Sequence, residues 1–353
     1  MKQRWAPLPQ RKGKAGTAAG AGLRDRLLRI LDQFARRSLV VAGDLIADQF
    51  LYGEIARVSR EAPVLVLQYR DLITVPGGAA NAANNLLDLG CHVRMEGAVG
   101  NDESGRILVE ALANKGADVD DVQRLESYAT PVKTRILAGA LHSSPQQIVR
   151  VDRVGALDSN FRIPEGRLRA RLSSVDGIIL SDYGYGCVTP SLVETAAMVA
   201  AQNRIPVVAD SRFRMTGFKG VTSITPNITE LESALGVSIG SSERLLQQAG
   251  RRVIQKQRLA HLLVTQGRFG MTLLEAGRPP THIPIFGTDE VADVTGAGDT
   301  VIAVFTLALA CGGSPEEAAR LANYAGGIVV MKRGTATVAP EELRTAINRD
   351  LSS

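Results

Sequence analysis

The seven residues Asp293-Val294-Thr295-Gly296-Ala297-Gly298-Asp299 run straight into Thr300-Val301-Ile302-Ala303-Val304-Phe305, an apolar stretch with the character of a helix opening. The first N–H groups of a helix have no intrahelical partner, and the macrodipole favours negative charge at that end. Glycines at 296 and 298 let an anion approach the backbone closely. The N–H groups of Gly296, Ala297 and Gly298 therefore form a candidate hole for phosphoryl oxygens. An aspartate beside such a hole repels phosphate unless it removes the proton of an attacking hydroxyl, which makes Asp299 the candidate catalytic base. A glycine-rich loop closed by a capping aspartate is the plain alternative, weakened by an aspartate at each end of the turn.

Such a turn needs a scaffold that brings other polar groups to the same edge. Four short apolar runs end in polar residues: 38–42 before Gly43-Asp44, 177–180 before Ser181-Asp182, 206–209 before Asp210, and 261–264 before Thr265. Helical stretches at about 190–203 and 241–257 separate them. Buried strands alternating with helices predict an α/β fold, a doubly wound and mainly parallel sheet with its site along the carboxyl edge. Residues 51–76 and 119–152 break the rhythm; rich in Val, Ile, Leu, Thr and Tyr, they predict a small β-sheet set as a lid over that edge. Upstream, Leu23, Leu27, Leu31 and Phe34 space an amphipathic helix over 23–37. One body over 38–348 is expected to follow it.

The formal charge is +5, and residues 1–22 carry Lys2, Arg4, Arg11, Lys12 and Lys14 with no acid, which accounts for all of it. A disordered basic leader is expected there, and the balanced remainder offers no basic face for nucleic acid. Cys91, Cys187 and Cys311 lie far apart with no C-x-x-C spacing. They predict free thiols in a reducing cytoplasm. No apolar run is long enough for a membrane span, and no G-x-x-x-x-G-K-[ST], H-E-x-x-H or G-x-S-x-G motif occurs.

The turn at 293–299 resembles the signature of the ribokinase-like (PfkB) carbohydrate kinases. Three other stretches match that family in the expected order: Gly77-Gly78-Ala79-Ala80-Asn81-Ala82-Ala83-Asn84, Asn227-Ile228-Thr229-Glu230 and Val264-Thr265-Gln266-Gly267. The resemblance covers about residues 38–345. It is nearest to the branch that phosphorylates D-glycero-D-manno-heptose 7-phosphate on the way to ADP-heptose and lipopolysaccharide cores, through 43–48, Tyr52-Gly53, 57–64, 147–152 and 180–183. That branch carries a lysine where Tyr185 stands, and Asp-Pro-Lys-Gly where this chain has Asp210-Ser211-Arg212-Phe213. None of His92, His142, His261 and His282 stands in an H-x-G-H motif, so the adenylyltransferase half of bifunctional relatives is not expected.

The resemblance implies ATP and Mg²⁺ as cofactors and a sugar phosphate as partner. It implies sugar hydroxyl contacts at Asp44, Asp48, Gly77, Gly78 and Asn81, and a substrate role for Asp182. A substrate phosphate needs cations, and Arg57, Lys133, Arg150, Arg60, Arg135 and Arg212 are the candidates. Asn227 and Glu230 are expected near the metal, with N-capping of a helix as their rival role. Thr265, Gly267 and Asn323 are expected against the nucleotide. A homodimer through the lid is expected too. Other acceptors on the same fold, and a catalytically silent sugar or nucleotide sensor, are the competing functions.

Overall fold

The computed structural model describes residues 18–139, 145–158, 161–163, 165–287 and 292–351. The order of elements is α1 (Ala18–Leu31), β1 (Ser38–Gly43), β2 (Leu45–Val58), β3 (Leu65–Gly78), α2 (Ala79–Asp88), β4 (His92–Gly100), α3 (Glu103–Asn114), β5 (Val122–Leu125), β6 (Val132–Gly139), β7 (Gln146–Arg153), α4 (Glu165–Leu172) and β8 (Gly177–Asp182). There follow α5 (Pro190–Asn203), β9 (Val207–Ser211), β10 (Ser223–Ile224), α6 (Ile228–Leu235), α7 (Glu243–Gln257), β11 (His261–Thr265), β12 (Met271–Glu275), β13 (Thr281–Ile283), α8 (Ala297–Ala310), α9 (Pro315–Val329) and α10 (Pro340–Leu351).

Nine strands form the main sheet in the order β13-β12-β11-β10-β9-β8-β1-β4-β5. All neighbours from β5 to β11 are parallel, and β12 and β13 continue antiparallel. β1 explains the continuous apolar run in its sequence: Leu39 and Val41 enter one core layer, Val40 and Ala42 the other, and all four are fully buried. Helices cover both faces, with α8 buried along most of its length. Local chemistry fixes helix starts at several points. Thr189 caps α5 ahead of Pro190, and Ser314 with Glu317 makes a capping box at α9.

The second sheet has the order β3-β2-β6-β7. Its limits differ from those expected. β2 starts at Leu45, one residue past β1, and β3 ends at Gly78, where α2 begins, so the lid roots in the site itself. β5, inside the 119–152 stretch, joins the main sheet beside β4 rather than the lid. The first helix also begins at Ala18, inside the expected leader, and α10 runs past 348 to Leu351. α1 ends at Leu31, short of the expected 37; Leu27, Ile30 and Leu31 bury its face, Phe34 from the 3-10 turn Phe34–Arg36 packs after it, and Arg26–Glu317 and Arg344–Asp32 tie this segment to α9 and α10. The rest of the leader, residues 1–17, lies outside the described residues, as does His142. No described helix is long and apolar enough to cross a membrane.

One core position is costly. Glu96 on β4 is 1% exposed, and its Oε1 has no hydrogen-bond partner among the described residues. Burial, with Asp121 nearby, pushes its pKa from 4.5 to about 7 against the pull of Arg171. The unfolded chain releases this proton first, so the group erodes stability as pH rises from about 4.5 to about 7, and the loss is complete above that. Glu96→Gln is therefore expected to raise stability at pH 8 by on the order of 1–3 kcal/mol and to have little effect at pH 4.5. Thermal midpoints at the two pH values check this.

Candidate active site

The site forms where β1, β8 and β9 end, between the start of α8 and the root of the lid. Gly296 is the N-cap of α8 with φ 78°, a left-handed conformation that suits glycine. Asp293 organises the preceding turn: its Oδ1 accepts the N–H of Thr295 at 2.9 Å and its Oδ2 that of Gly334 at 3.1 Å. The expected hole of three N–H groups is modified by this geometry. Gly296 lies outside the first helical turn, and the Ala297 N–H leans to the Val294 carbonyl at 3.3 Å. Gly298 is exposed, and a Cβ added to it would meet nothing within 4 Å. The open donors for an anion therefore centre on Gly298.

Asp299 sits at the third position of α8 and is 3% exposed. Both oxygens are held: Oδ2 accepts Asn81 Nδ2 at 2.9 Å and Oδ1 accepts Tyr183 Oη at 2.8 Å. Burial raises its pKa to about 6, while Asn81 and Tyr183 hold it down. It is thus mostly ionised above neutrality and close to the pKa useful for a general base. Gly77 and Gly78 make the close approach behind Asn81 feasible. A Cβ on Gly77 would lie 2.6 Å from Asp48 Oδ2, and one on Gly78, at φ 58°, 2.7 Å from the Asp44 carbonyl.

The carboxylates expected to bind sugar hydroxyls are mostly occupied by the protein. Asp44 accepts three peptide N–H groups, from Tyr183 (2.8 Å), Tyr185 (3.1 Å) and Cys187 (3.0 Å), so it shapes the loop after β8 instead of facing a ligand. Asp182 accepts a two-pronged ion pair from Arg214 at 2.8 and 3.2 Å, together with Ser211 Oγ and the Gly184 N–H, which leaves a substrate little to bind. Asp48 is buried against Arg135 at 2.7 Å and takes a long bond from Thr335.

The candidate cations divide in two. Arg57 and Arg60 are exposed toward the tip of the β2–β3 hairpin; Arg57 stands roughly 30 Å along β2 from Asp48, too far to reach the same chain's site. Lys133, Arg135 and Arg150 share one face of the lid, because Lys133 pairs with Asp48 and Asp152, and Arg135 with Arg150, across the ladders. Arg150 is tied to Asp152 at 2.8 Å. Lys133 is 7% exposed with its Nζ 4.5 Å from the centre of the Tyr183 ring. Burial lowers its pKa, Asp48 and Asp299 oppose that, and Arg212 adds to the lowering. Arg212 therefore lies within electrostatic reach of Lys133 and belongs to the same cationic wall.

Beside this centre lies an open groove of about 1570 Å³ lined by Asn227, Thr265, Gly267, Arg244, Phe269 and His282 among others. That volume exceeds the roughly 300–1,000 Å³ of a closed ligand pocket and suits an extended nucleotide. Asn227 and Thr265 pair as a bridge between their segments. Asn323 is not on the surface of the groove: it is 5% exposed and its Nδ2 donates to the Pro284 carbonyl at 2.8 Å, bracing the wall from behind. Asn227 and Glu230 form a reciprocal capping box at the start of α6, each bond 2.9 Å. Burial raises the pKa of Glu230, and that of the neighbouring Asp210 lies well above its ordinary value, through burial and then Glu230 and Asp299. Two crowded carboxyls at this edge are a fit for a cation that arrives with phosphate, although among the described residues no three His, Cys, Asp or Glu side chains converge as a metal cage.

Sequence reasoning passed over Tyr183 as a functional group and Arg214 altogether. The signal for Tyr183 was its place directly after a strand ending in Ser181-Asp182. Arg214 carried none, since its pairing with Asp182 is made only in the folded chain.

Residues 36–342 match the pfkB family carbohydrate kinase model. The chain is 43% identical over 309 residues to the "Bifunctional protein HldE" of Geobacter metallireducens, covering 86% of this chain and 61% of that protein. It is 39% identical over 319 residues to that of Klebsiella pneumoniae, covering 90% and 65%. The chain thus spans about three fifths of the length of these curated relatives. Among solved structures, it superposes on Arabidopsis thaliana ribokinase complexed with ribose and ATP with a TM-score of 0.70 at 22% identity, over 90% of this chain and 99% of that one. Escherichia coli phosphofructokinase-2 in complex with potassium gives 0.71 at 17%, again over 90% and 99%. At these identities the two structures establish a shared ribokinase-like fold.

Proposed function

The chain belongs to the pfkB family of carbohydrate kinases, a sugar-kinase phosphotransferase, and from that premise we propose that it transfers the γ-phosphoryl group of ATP to O1 of D-glycero-D-manno-heptose 7-phosphate, toward ADP-heptose and lipopolysaccharide cores. The observation that carries the reaction is Asp299, buried and held through both oxygens beside the open Gly298 N–H. The acceptor hydroxyl gives its proton to Asp299 as its oxygen forms the new bond to phosphorus. The bond from the γ-phosphorus to the bridging oxygen breaks, and ADP leaves with that electron pair. The N–H group at Gly298 faces the charge that spreads over the transferred oxygens. Asn81 and Tyr183 keep the base in line.

The groove containing Asn227, Thr265 and Gly267 is assigned to ATP. Mg²⁺ arriving with ATP supplies charge neutralisation for the phosphates, and Glu230, Asp210 and Asn227 are the residues suited to hold it, largely through water. The acceptor's own phosphate is assigned to the wall of Lys133, Arg150 and Arg212, and its hydroxyls to Asp48 and Asn81. Apolar side chains exposed on the lid, including Val58, Val64, Tyr69, Val149 and Val151, support pairing of two lids in a homodimer. A cytoplasmic location fits an ATP-consuming enzyme with three free cysteines.

Substrate profiling with ³¹P NMR of the product tests the acceptor. Heptose 7-phosphate is expected to turn over to the 1,7-bisphosphate, and turnover of a different sugar alone overturns the heptose assignment. Lys133→Met is expected to raise KM for heptose 7-phosphate by roughly 10–100-fold, from loss of one charge-assisted contact of about 1.5–3 kcal/mol. It is expected to change KM for ATP little.

A further inference from the structure

Resting on the reading of Asp299 as the base, we propose that Tyr183 is a positioning residue that sets the protonation and orientation of that base and joins it to the lid. Tyr183 touches three parts of the site, one through its backbone and two through its side chain. Its peptide N–H is fixed on Asp44 at 2.8 Å, just past β1. Its Oη donates to Asp299 Oδ1 at 2.8 Å, in the first turn of α8. Its ring lies 4.5 Å beneath the Lys133 ammonium, on lid strand β6. The attraction between an ammonium and a ring face is worth about 0.5–2 kcal/mol, more when both are dry.

The phenol's role follows from its environment. Burial, then the negative charges of Asp299 and Asp210, drive its pKa well above the ordinary value. That keeps the phenol protonated, so it donates and the Asp299 carboxylate accepts. The groups facing Asp299 are Asn81 from α2, Tyr183 from the loop after β8, Lys133 and Asp48 from the lid, and Asp210 from β9. Burial and Asp48 favour the neutral acid; Asn81, Tyr183 and Lys133 favour the carboxylate. Asn81 and Tyr183 each take one lone-pair direction on a different oxygen, which leaves one direction per oxygen for the acceptor hydroxyl. Removing the phenol frees Oδ1 to rotate and removes one of two hydrogen bonds that keep the charge affordable in a dry site.

Tyr183→Phe deletes only Oη and keeps the ring under Lys133. Two readouts on the full chain test it: the ¹³Cγ titration of labelled aspartates, with Asp299 assigned by the resonance lost in Asp299→Asn, and the pH profile of kcat/KM with heptose 7-phosphate and MgATP. The midpoint of Asp299 is expected to move up by roughly one unit, as loss of a hydrogen bond to a charged group implies. The acid limb of the profile should follow it, and the plateau at high pH should fall less than about tenfold. Fluorotyrosine incorporated at position 183, a stronger donor of nearly the same shape, is expected to move the midpoint down, which covers the case of a phenylalanine variant that folds poorly. A midpoint unchanged in both variants overturns the proposal, whatever happens to the plateau. The NMR arm needs no substrate, so it stands even if the acceptor is another sugar. Full turnover by Asp299→Asn would instead remove the reading of the base; an inactive Asp299→Asn beside an unmoved Tyr183→Phe midpoint would remove only the role of Tyr183.

Discussion

Asp299→Asn is expected to leave a folded protein whose kcat is lower by on the order of 10²–10⁴-fold, the usual contribution of a general base. The amide is nearly the same shape as the carboxylate but takes no proton from the acceptor. One of its two ends must also present N–H groups to a donor, because both Asn81 and Tyr183 point hydrogens at this side chain. With ATP assigned to the groove, its ground-state binding is expected to change little, so the loss should lie in kcat. Stability should move the other way. Burial raises Asp299 to about 6, so at pH 8 the ionised carboxyl is a cost to the folded state that asparagine removes. The thermal midpoint at pH 8 is therefore expected to stay level or rise while turnover collapses. In the unaltered enzyme the same group predicts kcat/KM climbing with pH through about 6 and then levelling. Stopped-time ADP release and calorimetry on the two proteins check both halves.

The parts of this site that the sequence exposes are those where backbone chemistry dictates residue type. A turn that must present N–H groups to an anion needs glycine at positions of unusual φ or close approach, and Gly296 and Gly298 stand out for that reason. Strands buried on both faces must be apolar throughout, so β1, β8, β9 and β11 are readable to within two residues at their ends, whereas β4, β5 and β10 are not. Carboxylates are less legible. Asp44 follows β1, Asp182 ends β8 and Asp48 lies near the start of β2, all at the functional edge, yet whether an acid faces ligand or protein depends on partners far away in the chain. Asp44 meets the loop at 183–187, Asp182 meets Arg214, and Asp48 meets Arg135. None of these partners follows from local spacing. The cations show the same limit. Arg57 and Lys133 look alike in composition, but strand register puts Lys133 on the buried face of the lid near Asp299 and carries Arg57 out along an exposed hairpin. Asn227 and Glu230 show that one spacing can satisfy a helix end and still place a carboxyl beside Asp210 at the groove.

Gly296→Ala tests whether the turn and the base are one device. At φ 78° an alanine costs about 1–2 kcal/mol in backbone strain alone. Its Cβ would stand 2.5 Å from Asn81 Nδ2 and 3.0 Å from Thr335 Cγ2, so something has to move. Thr335 bonds Asp48, and Gly334 beside it is pinned to Asp293, which leaves the Asn81 carboxamide as the softer neighbour. Displacing it takes one donor from Asp299 and tilts the base away from the Gly298 N–H. A misplacement of about 1 Å in such a centre costs on the order of 10²-fold in turnover. Gly296→Ala is therefore expected to lose that much kcat and a few degrees of thermal midpoint together. Gly298→Ala separates the two effects, because nothing lies within 4 Å of its Cβ and alanine suits the first turn of a helix. Its stability should hold or improve while the methyl group fills the space intended for phosphate, so that KM for ATP rises and kcat falls. If Gly298→Ala kept full activity, the γ-phosphoryl group could not sit over this turn, and Asp299 would be too far from the reaction to serve as its base.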